Sequence, residues 1–218
     1  MGSPRHVLVS PERLPGWVER FSAGNGGLAS TIGHDAEVRS DGGLMLRGAN
    51  GCVAELYPPW ESPSPVAPDG WAVQDLVSTA TSELLVGLLL VRRGGYAVGV
   101  ADNGKLVASK TGTKYVQSRT AAGGWSQQRF ARRRANQAAG LAEAAAAHAA
   151  RLFGEHPPAC LQLGGDRPLA AETLANPALR GYQALPKLKF LVVPDPRLDI
   201  LKQAAIDSRS IRITIIAP

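Results

Sequence analysis

A chain of 218 residues, 44% hydrophobic and 19% charged, can bury a sizeable core, which excludes a disordered protein. Its two cysteines, Cys52 and Cys160, lie far apart beside apolar neighbours, so they read as small core residues and imply no disulfide framework. Met1 to Ser10 lacks the apolar centre of a signal peptide, and no apolar run approaches the roughly 18 to 20 residues that span a bilayer. The expectation is a cytoplasmic protein with no membrane association.

Along the chain, Pro15 to Ala23 predicts a short helix with Trp17, Val18 and Phe21 at helical spacing. Ala36 to Arg39 and Gly43 to Leu46, joined by Ser40-Asp41-Gly42, predict a hairpin, and Cys52 to Tyr57 a further strand ending at Pro58-Pro59. Pro58 to Gly70 is too rich in proline for helix or ladder and reads as a linker or extended arm. The chain therefore divides into residues 1–70, a small N-terminal helix and β-hairpin unit with its linker, and residues 71–218.

In the second part, Leu84 to Val91, Gly95 to Asp102 and Lys105 to Thr111 are three β-prone runs, separated by Arg92-Arg93-Gly94 and by the hairpin signal Asn103-Gly104. Gln127 to Phe153 has no proline and a long alanine block, which predicts a helix of several turns ended by Gly154 and Pro157-Pro158. Strands at Cys160 to Leu163, Leu188 to Val193 and Ile211 to Ile216 then alternate with helices at Leu169 to Ala175 and Leu198 to Ala205. A meander followed by strand-helix alternation gives the α/β (α+β) class: a mixed β-sheet with flanking helices.

The positive charge is concentrated. From Lys105 to Arg151 there are nine Lys/Arg against Glu143 alone, a local +8 in a chain whose total is +6, which leaves the remainder at −2. Charge gathered around one glycine-containing loop suits a phosphate-rich partner, because phosphates neutralised by cations release condensed counterions. Within Ala121 to Arg134, Gly123 and Gly124 permit positive φ and close backbone approach. Gln127 offers a carboxamide that both donates and accepts, suited to orienting water or a ribose hydroxyl; a weak acid and weak base, it would act by positioning. Ser126 is placed to cap the helix that follows, whose orphan amides face any nearby phosphate or oxyanion. Arg129, Arg132 and Arg133 fall at i, i+3 and i+4 on one helix face, with Arg134 beside them and no acidic residue to pair with them. Lys110, Lys114 and Arg119 precede the loop and extend the basic patch, and Tyr115 or Trp125 can stack on a base.

Here the chain resembles the release-factor-like proteins of the Vms/Ankzf type, and within them the actinobacterial VLRF peptidyl-tRNA hydrolases. Their G-x-x-Q motif is matched in register by Gly124-Trp125-Ser126-Gln127, where true class I release factors have G-G-Q. The resemblance extends through Leu90 to Gly99, Lys110 to Gln117 and Gly123 to Asn136, and over Leu84 to Pro218 as a whole. It implies a ribonuclease H-like domain of the release-factor middle-domain type. Its loop would reach the peptidyl-transferase centre of the large ribosomal subunit and sever the ester between nascent peptide and tRNA. By residue match Gln127 would be the catalytic glutamine and Gly124 the motif glycine, with Gly123, Trp125, Ser126 and Gln128 completing the catalytic loop; Gln128 is also a candidate by position. The implied partners are the ribosome and peptidyl-tRNA.

Trp125 and Ser126 before the glutamine leave two chemistries open: hydrolysis by water, or attack by the tRNA's own ribose hydroxyl in endonucleolytic cleavage near the CCA end. A third reading is a non-catalytic ribosome-binding factor. His6, His34, His148 and His156 lack metal-ligand spacing, Asp102, Asp166 and Asp195 are dispersed, and no phosphate-binding glycine loop is present. Neither a metal nor a nucleotide cofactor is expected.

Overall fold

The computed structural model describes residues 3–29, 37–38, 43–60, 72–113 and 125–218; of residues 37–38, 72, 125–131 and 133–135 only the backbone is described. Contacts within the chain divide it into two compact units, residues 1–83 with 206–218, and residues 84–205.

The first unit is a five-stranded sheet in the order β1-β9-β4-β3-β2, from β1 (Arg5–Val9), β2 (Glu37–Val38), β3 (Leu44–Arg47), β4 (Val53–Tyr57) and β9 (Ile211–Ile216). Every pairing is antiparallel. Alternation puts Leu44, Leu46, Ala54, Leu56, Ile211 and Ile213 on one buried face. Leu14 and Phe21 of helix α1 (Leu14–Gly24) and Leu76 and Ala80 of α2 (Ala72–Ala80) complete that core. Trp17 stacks on Phe21, their centroids 5.4 Å apart, as their helical spacing suggests.

Three differences from the sequence expectation lie here. β1 and α2 were not anticipated; of the expected hairpin's first strand, Glu37–Val38 is strand, and 36 and 39–42 lie outside the described residues. The expected division at residue 70 also differs from the observed one. β9 lies between β1 and β4, with Arg5 opposite Ile215 and Ala54 opposite Ile215 on the other side, so the C-terminal strand belongs to the first unit. Most of the proline-rich segment Pro58 to Gly70, residues 61–70, lies outside the described residues.

The second unit is a four-stranded mixed sheet in the order β7-β6-β5-β8, built from β5 (Leu85–Arg92), β6 (Gly95–Asp102), β7 (Lys105–Thr113) and β8 (Cys160–Gly165). The first three form an antiparallel meander. Asn103, at φ 46°, and Gly104, at 77°, occupy the left-handed turn that a two-residue hairpin requires. β8 runs parallel to β5, so its connection must cross the sheet, and α3 (Trp125–Glu155) supplies the crossover. At about 1.5 Å per residue α3 is roughly 46 Å long.

Both faces of the meander are covered, which is why Val86 to Val91 is a continuous apolar run. On one face Leu89, Val91, Tyr96, Val98 and Val100 meet Leu141, Ala142, Ala145, Ala149 and Phe153 of α3, together with Leu169 and Leu174 of α4 (Arg167–Leu174). Alanine at four buried α3 positions lets the helix approach the strands closely. On the other face Leu201 of α5 (Leu198–Asp207) approaches Gly99, where an added Cβ would stand 3.2 Å from it.

The expected strand Leu188 to Val193 is instead an irregular segment with two isolated parallel bridges, Leu161 to Lys187 and Gly164 to Leu191. Side chains divert its carbonyls from a continuous ladder. Buried Gln162 donates through Nε2 to the Lys189 carbonyl at 2.8 Å, and Arg92 donates through Nη1 to the Val193 carbonyl at 3.0 Å.

Candidate nucleic-acid interface

Four strand ends meet at one end of the second unit's sheet. β5 ends at Arg92, Val91 is paired with Gly165 at the end of β8, and β6 begins at Gly95 opposite Thr113, the last residue of β7. The chain leaves β7 here and re-enters described structure at Trp125, the first residue of α3. Gly123 and Gly124 of the expected catalytic loop, with Lys114, Tyr115 and Arg119 of the expected RNA contacts, lie outside the described residues.

α3 starts two residues before the Gln127 expected from sequence. Trp125, Ser126, Gln127 and Gln128 therefore form its first turn, and Ser126 sits within that turn rather than at the cap. The first four N–H groups of a helix have no partner within it and carry the positive end of its dipole, so this turn favours an anion or developing oxyanion.

Arg129, Arg132, Arg133 and Arg134 are all on α3, and its helical backbone gives 129, 132 and 133 a common face. The Arg132 side chain is exposed, as is Asn136 one turn on. Among the described side chains of α3, Ala138 is the first that packs on the hydrophobic core. Arg151, which the sequence counted with this charge, is spent elsewhere, in a 2.8 Å ion pair with Glu155 one turn on.

Lys110 is exposed on the edge strand β7, on the same face as Ala108 and Gly112. Its neighbour Gly112 lies under the ring of Tyr96. A Cβ at Gly112 would stand 2.5 Å from Cε1, Cζ and Oη of that tyrosine. Tyr96 in turn stacks on His148 of α3, with centroids 5.9 Å apart. Burial pushes the Tyr96 phenol above its ordinary range, so it stays neutral. This Gly112-Tyr96-His148 contact ties the strand entering the loop to the helix leaving it. The sequence words containing Tyr96 and Gly112 were legible, but the contact between them is set by strand register.

Both thiols are buried and free, and desolvation pushes Cys160 up to about 11. Among the described residues no group of three His, Cys, Asp or Glu side chains is arranged to hold a metal, and no helix is long and apolar enough to cross a membrane.

A family model described as "Actinobacteria/chloroflexi VLRF1 release factor" matches residues 85–214, more than half of the chain. Among solved structures, the "Vms1 mitochondrial localization core" is similar at 11% identity with a TM-score of 0.46, over 80% of this chain and 77% of that one. The archaeal translation termination factor aRF1 is similar at 11% identity and a TM-score of 0.39, over 94% of this chain and 64% of that one. At those identities and scores no residue role passes from either structure to this chain. The curated proteins contain no match to the sequence.

Proposed function

The chain belongs to the Actinobacteria/chloroflexi VLRF1 release factor family, and we propose that it is a peptidyl-tRNA hydrolase that frees nascent chains on stalled ribosomal complexes through Gly124-Trp125-Ser126-Gln127. The observation that carries this reading is the position of Gln127 in the first turn of α3, within the matched residues and directly ahead of an arginine-bearing face. The strand order β7-β6-β5-β8, with a helical crossover into a parallel fourth strand, supports the ribonuclease H-like topology expected of such a domain.

In the proposed reaction the oxygen of a water attacks the carbonyl carbon of the ester joining peptide to the terminal ribose. The carbon–oxygen bond to the ribose breaks, and the released ribose hydroxyl carries away a proton from the water. The Gln127 carboxamide accepts from the water and donates to the ribose oxygen, holding both in line without changing its own protonation state. The unpaired N–H groups of the α3 first turn favour the charge that develops on the carbonyl oxygen. Gly123 and Gly124 let the loop approach the ester, and Lys110, Lys114, Arg119, Arg129, Arg132, Arg133 and Arg134 hold RNA phosphates. The first unit serves docking, and the reaction belongs to the cytoplasmic large subunit.

The test is to incubate wild-type and Gln127→Ala protein with stalled ribosome-nascent-chain complexes and resolve the peptide and the tRNA 3′ end separately. Wild type is expected to release peptide and leave an intact, rechargeable CCA end. The variant should bind equally well but lose release by about a hundredfold or more, because a positioning group acts in the transition state. A shortened tRNA with nucleotides left on the peptide would replace hydrolysis by endonucleolytic cleavage. Absence of any product from wild type would leave a binding factor.

A further inference from the structure

Beside the loop stem, at the same end of the sheet, a second group of cations is assembled by the fold. Arg92 ends β5 and Arg93 lies in the two-residue turn into β6, and both are exposed. The Asp166 N–H donates to the Val91 carbonyl at 2.8 Å, which brings the start of α4, and so Arg167, against that turn. The Arg167 guanidinium lies over the ring of Phe190, 4.3 Å from its centroid. The segment carrying Phe190 is pinned by Gln162 on the Lys189 carbonyl and by Arg92 on the Val193 carbonyl. Its Leu191 bonds turn inward, with N–H to the Leu163 carbonyl and carbonyl to the Gly165 N–H, both 3.0 Å. Val192, next along, is 90% exposed. The Pro196 carbonyl comes within 3.8 Å of a Cβ built at Gly95, and that Cβ would also lie 3.8 Å from Thr113 Cγ2, so the segment reaches the base of the loop.

Arg93, Arg167 and Lys189 make no ion pair among the described residues. The acidic residues nearest in sequence are Asp166, whose carboxylate accepts from the Leu169 N–H as the cap of α4, and Asp195. Arginine fixed against an aromatic ring beside an exposed apolar side chain is the combination that holds unpaired nucleotides, the cations taking phosphates and the apolar surface a base. An acidic protein segment would use the cations alike but would gain little from Phe190 and Val192 flanked by them.

We propose that Arg92, Arg93, Arg167, Lys189, Phe190 and Val192 form a second RNA-binding surface of this unit, which takes a single-stranded segment with phosphates on the arginines and one base on the Phe190–Val192 shoulder. It is independent of the ester chemistry, and its test reads RNA binding alone.

The experiment measures binding of the full chain to a fluorescein-labelled single-stranded RNA of about ten nucleotides, by polarisation over a series of salt concentrations. Arg93→Gln with Arg167→Gln is expected to weaken binding about tenfold and to make the slope of log K against log salt shallower by roughly 1.4, about 0.7 for each phosphate that is no longer neutralised. Phe190→Ala should weaken it about fivefold or more with the slope unchanged, since a stacked base releases no counterion. Arg180→Gln with Lys202→Gln, the same charge change elsewhere on the unit, should leave affinity within about twofold and the slope unaltered. Arg93→Gln alone, in an exposed turn, carries half the slope change should the double variant prove unstable. The proposal is overturned if wild type does not bind the RNA, or if the two double variants behave alike. It is also overturned if the Arg93/Arg167 variant keeps its RNA affinity while losing affinity for polyglutamate, which would make the surface one for acidic protein.

Discussion

Replacing Gly112 by alanine tests whether the contact across the loop stem is as tight as its geometry requires. The new Cβ would stand 2.5 Å from three atoms of the Tyr96 ring, about 1 Å inside ordinary contact. That ring cannot simply swing away, because it is 6% exposed, stacked on His148 and packed with Val91 and Val98. Forcing such a shift in a packed core costs about 1–3 kcal/mol. Against this, alanine recovers about 0.5–1 kcal/mol through lower backbone entropy in the unfolded chain. The net expectation for Gly112→Ala is a loss of up to roughly 2.5 kcal/mol, read by urea unfolding followed by far-ultraviolet circular dichroism. In a Tyr96→Leu background the obstructing ring is gone, so the same change should become neutral or stabilising, a coupling of about 1–3 kcal/mol in the double-mutant cycle. Gly112→Ala at or above wild-type stability, or an undiminished penalty in the Tyr96→Leu background, would refute the argument.

Two further outcomes follow from buried or partly buried ionisable groups. Cys160, buried and pushed up to about 11, is only about one part in a thousand thiolate at pH 8, so native protein should resist alkylation at this site until urea opens the unit. Mass spectrometry of the Cys160 peptide reads this, and equal labelling with and without urea would contradict it. Glu12 is held below its ordinary value of 4.5: burial pushes it up, but its own backbone N–H, the Arg209 charge and the Ser10 hydroxyl together outweigh burial. Its 2.8 Å ion pair with Arg209 has the arginine side chain 11% exposed and the carboxylate 60% exposed, so solvent limits its worth to about 1 kcal/mol or less. Because the folded value is the lower one, that stability is present above pH 4.5 and is lost as pH falls through the folded value. Glu12→Gln should therefore unfold at lower urea than wild type at pH 7, with the gap closing in acid; a gap that widened in acid would reverse the sign.

The meander and the long helix were legible because local chemistry and tertiary packing agree there. The apolar run Leu85 to Val91, the Asn103-Gly104 turn and the alanine block of α3 each allow one structure. β9 was legible as a strand but its partners were not, since pairing Arg5 with Ile215 joins segments at opposite ends of the chain and leaves no local trace. Leu188 to Val193 has strand composition, yet Gln162 and Arg92 compete for its carbonyls, and side-chain competition of that kind is invisible to propensity. The same holds for the candidate interface. The G-x-x-Q segment and the arginines after it could be read directly, whereas Arg92 and Arg93 separate two strands, Arg167 opens α4, and they meet only because β8 pairs in parallel with β5.

The division of charge between the units extends this argument to partners. Residues 84–205 carry seventeen Lys/Arg and seven Asp/Glu, a net +10, while residues 1–83 with 206–218 carry seven and eleven, a net −4; together they make the +6 of the chain. A phosphate polymer is attracted to the first set and repelled by the second, so the proposed RNA contacts belong on electrostatic grounds to the unit that carries α3. The docking proposed for the acidic unit would then need basic or apolar protein surface. Raising salt should weaken RNA binding more steeply than any ion pairing of the acidic unit with basic protein, because counterions condensed on the polymer are released in proportion to the phosphates covered whereas protein charges hold no such condensed layer, and it should not weaken docking on an apolar surface.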